Sequence, residues 1–435
     1  MLAARGLPRL ASPSWQLAAC SGMHVVNDAL FAGLYPLLPL LAADLGLSYT
    51  EVGAIKTAYS GASALFQVPA GLAAERWGEQ LLLGLGTAWV GAGLIGMTLA
   101  AGFGALLGLS ILGGLGGNVQ HPAAASVISR LFDTGRRATA LGTLNFAGDL
   151  GKVLAPAVAG GVALAVGWRG GFLALGLLGL TFGLVYLALV PQPPSLSGPQ
   201  PPVISRAQRP TLSAVESPDR TGVQGAEPPV GGSVGRNSWG IPRPGRFITL
   251  SGVGVLDAAA RGTILTFLPF LLGARGIDAA GTSAAFAVLF AAGAAGKFIC
   301  GALADRVGSV GLIAITELVT AGAILVLLGA PLVVLPLVLL PLGFVLNGTS
   351  SVLYAFAAEL VDSGKRARGY GLFYTCTQLG SSLAPLGYGA LADRLGLNPA
   401  LLALAAATAL IAPLALALRV ADAGRARHAA SRQPD

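Results

Sequence analysis

The sequence predicts an all-α membrane protein with twelve transmembrane helices in two pseudo-symmetric halves of six. Three observations carry that prediction. The 435-residue chain is 54% hydrophobic and only 11% charged, against about 25% charged in an ordinary soluble domain. Mean hydropathy is +0.73, and several apolar runs exceed the ~20 residues a helix needs to cross a bilayer. Residues 129–156 also align without gaps on residues 358–385, an offset of 229, with 11 identities in 28 positions.

Apolar runs and the polar breaks between them place the helices in order. The first half, residues 1–190, holds helices at about 15–42, 50–74, 80–101, 104–130, 137–165 and 169–190. Leu17-Ala18-Ala19-Cys20 resembles a lipoprotein processing site, but Pro8, Arg9 and Pro13 interrupt the segment before it. It reads as the first turns of a retained helix. Glu75-Arg76 breaks helix 2 from helix 3, Arg130 to Arg137 separates helix 4 from helix 5, and Arg169 opens helix 6. Residues 191–246 hold 12 of the 27 prolines and six arginines, a composition that cannot bury enough apolar surface to fold alone. They are expected to form a flexible cytoplasmic linker. The second half, residues 247–419, holds helices at about 247–272, 280–304, 308–330, 332–358, 368–392 and 398–419, and 420–435 is a cytoplasmic tail. Its breaks are Arg275, Asp305-Arg306, Asp362 to Arg368 and Asp393-Arg394.

Orientation follows from the basic residues. Twenty of the 27 lysines and arginines fall on the side of the termini and linker, three (Arg169, Arg275, Arg394) on the other, and four (Lys56, Lys152, Arg261, Lys297) within spans. By the positive-inside rule the termini and linker are cytoplasmic. The repeat matches Asp133, Gly135, Arg137 and Ala138 to Asp362, Gly364, Arg366 and Ala367, and Asn118 to Asn347. Parallel six-helix repeats are the architecture of secondary transporters that rock around a central site.

Other chemistries are excluded on context. Net charge +8 and a pI near 9.8 do not indicate nucleic acid, because the arginines stand singly between apolar runs instead of forming a basic stripe. Gly91-Ala-Gly93-Leu-Ile-Gly96 fits a dinucleotide spacing but lies inside helix 3, with no preceding strand. No G-x-x-x-x-G-K-[ST] loop occurs, and the G-x-S-x-G string at Gly231 to Gly235 lies in the Pro-rich 191–246 segment, without the strand and helix that make a nucleophile elbow. Cys20, Cys300, Cys376 and the three histidines are dispersed, so no metal site is expected. The chain is not expected to be an enzyme.

Gly71-Leu-Ala-Ala-Glu75-Arg76-Trp-Gly78 after helix 2 is echoed by Gly301-Ala-Leu-Ala-Asp305-Arg306-Val-Gly308 after helix 8. Here the sequence resembles the major facilitator superfamily, whose G-x-L-a-D-R-x-G loop occupies both turns; Glu75 replaces the usual Asp, and the basic residues that follow in the family are missing. A third copy, Gly389 to Gly396 with Asp393 and Arg394, falls on the outer side. His24-x-x-Asn27-Asp28, Tyr35-Pro-Leu-Leu-Pro39, His121-Pro122 and Arg261-Gly-x-x-x-Thr-Phe-Leu-Pro269 resemble the fosmidomycin-resistance type of bacterial efflux protein. The resemblance implies proton-driven export (antiport) of a small organic compound or drug by alternating access, with the proton gradient as energy source and no cofactor. The alternative is an importer or facilitator of a small anionic metabolite. It also implies a small-molecule substrate, a lipid bilayer, no nucleic acid, a monomer, and a multi-pass place in the bacterial inner membrane. The 23 arginines against four lysines point to a GC-rich bacterial genome.

An ionisable group inside a span costs about 2.5–3.5 kcal/mol on insertion scales, so each is a functional candidate. His24, Asn27 and Asp28 share one face of helix 1 at i, i+3 and i+4. Asp28 is read either as the proton-coupling acid, with His24, or as an acid neutralised by a neighbouring cation. Asp149 with Lys152 and Asp257 with Arg261 have helical spacings for ion pairs. Lys152 and Arg261 meet an anionic substrate while Asp149 and Asp257 titrate, or the pairs are permanent. Asn118, His121, Asn145, Asn347 and the Tyr370, Tyr374, Gln378 stripe are further candidates for the cavity wall. Lys56 and Lys297 are read as snorkelling, Glu317 has no assigned role, and Gly71, Glu75, Arg76, Gly78, Gly301, Asp305, Arg306 and Gly308 are assigned to gating on the resemblance.

Overall fold

The computed structural model describes residues 12–117, 119–190, 240–362 and 366–418. The described residues are helical almost throughout and form the twelve helices in two halves that the sequence predicts. In the first half α1 is Pro13–Leu45, α2 Tyr49–Trp77 and α3 Glu79–Met97. Next, α4 comprises Phe103–Gly114 and Gln120–Leu131. In the second half α7 is Pro244–Ala274, α8 Ala279–Val307, α9 Ser309–Gly329, α10 Leu332–Glu359, α11 Arg366–Leu395 and α12 Leu397–Leu418. Thr134–Leu189 is continuous in hydrogen bonding, yet 56 residues at ~1.5 Å each would far exceed a bilayer. Val166 and Gly167 leave helical geometry, with Gly167 at φ 76°, and this break divides α5 (134–165) from α6 (168–189). Most of the expected linker lies outside the described residues.

Local signals set the helix ends. Ser48 and Glu51 form a reciprocal capping box at the start of α2, and Asp278 accepts from the Gly281 amide at the start of α8. Such caps satisfy otherwise orphaned amides. The tight turns carry the repeat in their backbone: Gly46 and Gly276, Gly78 and Gly308, and Gly167 and Gly396 all have positive φ. Their separations of 230, 230 and 229 residues match the sequence offset. The Gly396 turn gives the third motif copy the backbone of the other two.

Small residues set how closely helices approach. A Cβ on Gly296 of α8 would stand 2.0 Å from the Phe344 carbonyl of α10, and one on Gly343 2.1 Å from the Leu289 carbonyl. These contacts are backbone against backbone, so neither side can yield by changing rotamer. Gly296→Val is therefore expected to destabilise the second half by about 1–3 kcal/mol through overpacking. A lowered Tm of the detergent-purified protein checks this; an unchanged Tm would contradict it.

Large apolar side chains face outward on α3, α6 and α12, including Trp89, Phe182 and Leu402, which suits a lipid-facing periphery. At the face opposite the termini the halves close on each other. Tyr35 stacks on Phe286 at 5.7 Å, Tyr49 packs edge-on against Phe270 at 5.4 Å, and Thr57 Oγ1 donates to the Ser382 carbonyl at 2.6 Å. One apolar cluster there joins Ala32 and Tyr35 to Phe286, Leu268 and Leu339.

Candidate functional site: an ion network between the halves

Close approach of α5 to α1 builds the centre. A Cβ on Gly151 would stand 2.1 Å from the Val25 carbonyl, and one on Gly148 would stand 2.7 Å from both Asp28 Oδ2 and His24 Nε2. Without side chains at these two positions, Asp149 and Lys152 can reach the polar face of α1. Lys152 Nζ lies 3.0 Å from Asp28 Oδ2 and donates to Asp149 Oδ1 at 3.1 Å. Lys297 of α8 donates to the same Asp149 oxygen at 2.5 Å, which ties the halves together in mid-membrane. His24 Nε2 and His121 Nε2 stand 3.6 and 3.8 Å from the Asp28 carboxylate. The break in α4 puts His121 in the first turn of its second segment, where its ring meets His24 at 4.8 Å and Tyr374 of α11 at 6.4 Å. Asn27 is buried and its Nδ2 donates to Asp28 Oδ1 at 3.4 Å.

A second cluster lies in the other half. Arg261 Nη2 donates to Asp257 Oδ2 at 2.9 Å, and Glu317 of α9 is in hydrogen-bonding contact with Asp257. Tyr354 of α10 lies near both Asp257 and Arg261, and its ring packs 6.0 Å from Tyr374.

The exposures sort these groups by charge. The cations are partly open, Lys152 at 29%, Lys297 at 30% and Arg261 at 22% of the side chain, as is the His121 imidazole at 34%. Their acids are shut behind them, Asp28 at 5%, Asp149 at 8% and Asp257 at 4%. The positive groups are thus the more accessible members of each pair. Histidines 24 and 121 with Asp28 have ligand atoms within 4.8 Å of one another, but the Lys152 ammonium already occupies the Asp28 carboxylate, so a further cation would meet repulsion.

Other sequence candidates are placed differently. Asn347 is buried, its amide donating to the Gly343 carbonyl at 3.4 Å within α10, and Gln378 accepts from Ser382 through its backbone carbonyl at 2.7 Å. Asn145 is exposed, one turn from Asp149. Lys297 does not snorkel but bridges to Asp149, and Lys56 is 5% exposed, donating to Ser60 Oγ with its ammonium 5.2 Å from the Tyr35 ring. Asn118 and the side chains of Tyr370, Glu75 and Asp305 lie outside the described residues, as does the surrounding of Gly71. Arg76 and Arg306 are exposed, and Gly78 and Gly308 make the motif turns; Gly301 is partly exposed. Cross-helix partners were invisible to periodicity, but one signal was readable: Asp257 follows Asp28 by 229 residues, the repeat offset, so the two acids are equivalents.

A repeated twelve-helix bundle with ions held between its halves defines a membrane transporter and not an enzyme. The chain belongs to the Major Facilitator Superfamily, whose family profile matches residues 20–385 and 250–434. It is 31% identical over 137 residues to the probable L-galactonate transporter of Escherichia coli strain K12, covering 32% of this chain and 30% of that protein. It is 30% identical over 143 residues to the fosmidomycin resistance protein of the same strain, covering 33% and 35%. The hexuronate transporter of Bacillus subtilis strain 168 is 27% identical over 157 residues, covering 36% and 37%. The chain thus spans about a third of the length of the curated relatives it matches. In fold it is similar to a bacterial homologue of the human lysosomal transporter Spinster in an inward-facing, occupied conformation, with TM-score 0.75, 16% identity and coverage of 93% and 96%. The nucleoside transporter NupG gives 0.73, 14% identity and 93% and 98%.

Proposed function

We propose that the protein is a proton-coupled transporter of small organic anions, carboxylates or phosphonates, working by alternating access in the bacterial inner membrane. The carrying observation is the sorted exposure of the central ions: the cations are 22–30% exposed and their carboxylates 4–8%, so the accessible charge between the halves is positive. A substrate anion entering the cavity meets Lys152, Lys297 and Arg261 first, and Arg261 offers a planar fork suited to two oxygens. The positive-inside count puts termini and linker in the cytoplasm, so the closed face is the outer one. The protein acts as a monomer, without a cofactor, on the proton gradient. Export by antiport is the direction favoured by the helix-1 motif and the fosmidomycin-resistance relative. Uptake is the second reading, favoured by the galactonate and hexuronate relatives.

The test is ligand-induced stabilisation of the purified full chain, followed by flux in proteoliposomes. A panel of L-galactonate, glucuronate and fosmidomycin is compared with neutral galactose and a quaternary ammonium compound of similar size. Anions are expected to raise Tm and to move in response to a pH gradient, and the gradient orientation that drives flux assigns the direction. Stabilisation and flux confined to the neutral or cationic compounds would overturn the anion assignment.

A further inference from the structure

Glu317 is the starting point. It is 1% exposed on α9, a helix whose Ile315, Leu318, Leu325 and Val326 stand toward the periphery. An acid on such a helix is costly, and it turns inward to contact Asp257, itself 3% exposed. Glu317 Oε1 is buried and receives no hydrogen bond from an N–H or hydroxyl donor.

The charges of the two halves differ. Around Asp28, two acids (Asp28, Asp149) meet two cations (Lys152, Lys297), and the network is balanced as it stands. Around Asp257, two acids meet one cation, Arg261. Among the described residues, the other titratable groups facing this cluster are the phenols of Tyr354 on α10 and Tyr374 on α11, which bring no positive charge. The repeat locates the asymmetry: positions 378 and 381, equivalent to Asp149 and Lys152, are both uncharged (Gln and Ser), while Glu317 stands where the first half has Ala88, so the second half carries an added acid without an added cation.

Two carboxyl oxygens can share a hydrogen bond only while a proton sits between them, and contacting buried carboxylates cannot both stay ionised. One proton on the pair brings Asp257, Glu317 and Arg261 to neutrality. We infer that the Asp257–Glu317 pair is a proton-binding site of the second half, and that this pair, in place of the balanced Asp28, carries the coupling proton. Loading forms one O–H bond on a carboxylate oxygen from a hydronium ion of the cavity, which leaves as water; unloading is the reverse. Arg261 is partly exposed and bonded to Asp257, so it stands between the buried pair and cavity water.

The coupling role rests on the transport reading above, but the proton itself can be tested without any substrate. Infrared spectra of the purified full chain at neutral pH, in water and deuterated water, report protonated carboxyl groups by their C=O stretch. We expect such a band in the wild type and in Asp28→Asn, and its loss in Glu317→Gln and in Asp257→Asn. In either of the last two variants one acid faces Arg261 and needs no proton. Gel filtration and Tm show whether each variant is folded; the amide replacements keep size and hydrogen bonding, and either variant alone suffices. A band unchanged in a folded Glu317→Gln or Asp257→Asn protein, or lost only in Asp28→Asn, would overturn the assignment. An inert protein in the anion assays would leave the infrared result intact, so the two failures are distinguishable.

Discussion

Lys152→Met is expected to lower the initial transport rate in proteoliposomes by about 100-fold or more. The ammonium holds Asp28 at 3.0 Å and Asp149 at 3.1 Å, and each bond to a charged group is worth about 1.5–3 kcal/mol. Methionine fills the volume but leaves two buried carboxylates with Lys297 as their nearby ammonium. A cavity that attracted anions then repels them. Lys152→Arg keeps the charge and should retain part of the rate. Asp28→Asn combined with Lys152→Met restores the charge balance and should recover stability lost in the single variant, although not transport. A Lys152→Met protein that inserts normally and keeps more than a third of the wild-type rate would contradict this role.

The fold was legible because its signals are local. Apolar runs longer than a bilayer span, caps such as Ser48 with Glu51, and glycines at turns each act within a few residues. The ion pairs at i, i+3 and i+4, Asp149 with Lys152 and Asp257 with Arg261, were readable for the same reason and are formed. What the sequence hid were partners brought together by helix packing. Lys297 lies 148 residues from Asp149, within two turns of the helix end expected at about 304, where a lysine reads equally well as snorkelling, whereas α8 runs on to Val307. Glu317 lacks an opposite charge at helical spacing and finds Asp257 only because α9 packs inside the second half. The interruption of α4 also escaped periodicity, since the glycines of 113–117 are as compatible with close helix contact as with a break.

The third motif copy shows how a position can be readable while its role is not. Its family counterparts lie on the terminal side, so the sequence alone left Asp393 without a task. In the structure Asp393, at the end of α11, accepts the Tyr49 amide at 2.9 Å and the Thr50 amide at 2.8 Å, and the Thr50 hydroxyl also donates to it. One acid of the second half thus caps the first turn of α2 in the first half, where the helix dipole favours negative charge. Nearby, a Cβ on Gly53 would stand 2.3 Å from the Pro385 carbonyl, so α2 and α11 touch through bare backbone. These contacts exist only while this face is closed. Asp393→Asn keeps the shape but removes the charge, and the site is exposed, so the loss is about 1–2 kcal/mol. That shifts the balance of closed to open by about tenfold. Spin labels at Ala43 and Asn398, in a background lacking the native cysteines, should show a longer-distance population growing in Asp393→Asn and more so in Gly53→Leu, whose side chain cannot fit against Pro385. Because transport requires both states, the same variants should change rate without changing which anion is carried. Unaltered distance distributions in both would mean that the closure is held by the other contacts of this face, the aromatic packing of Tyr35 and Tyr49, the Thr57 bond to Ser382 and the apolar cluster around Phe286.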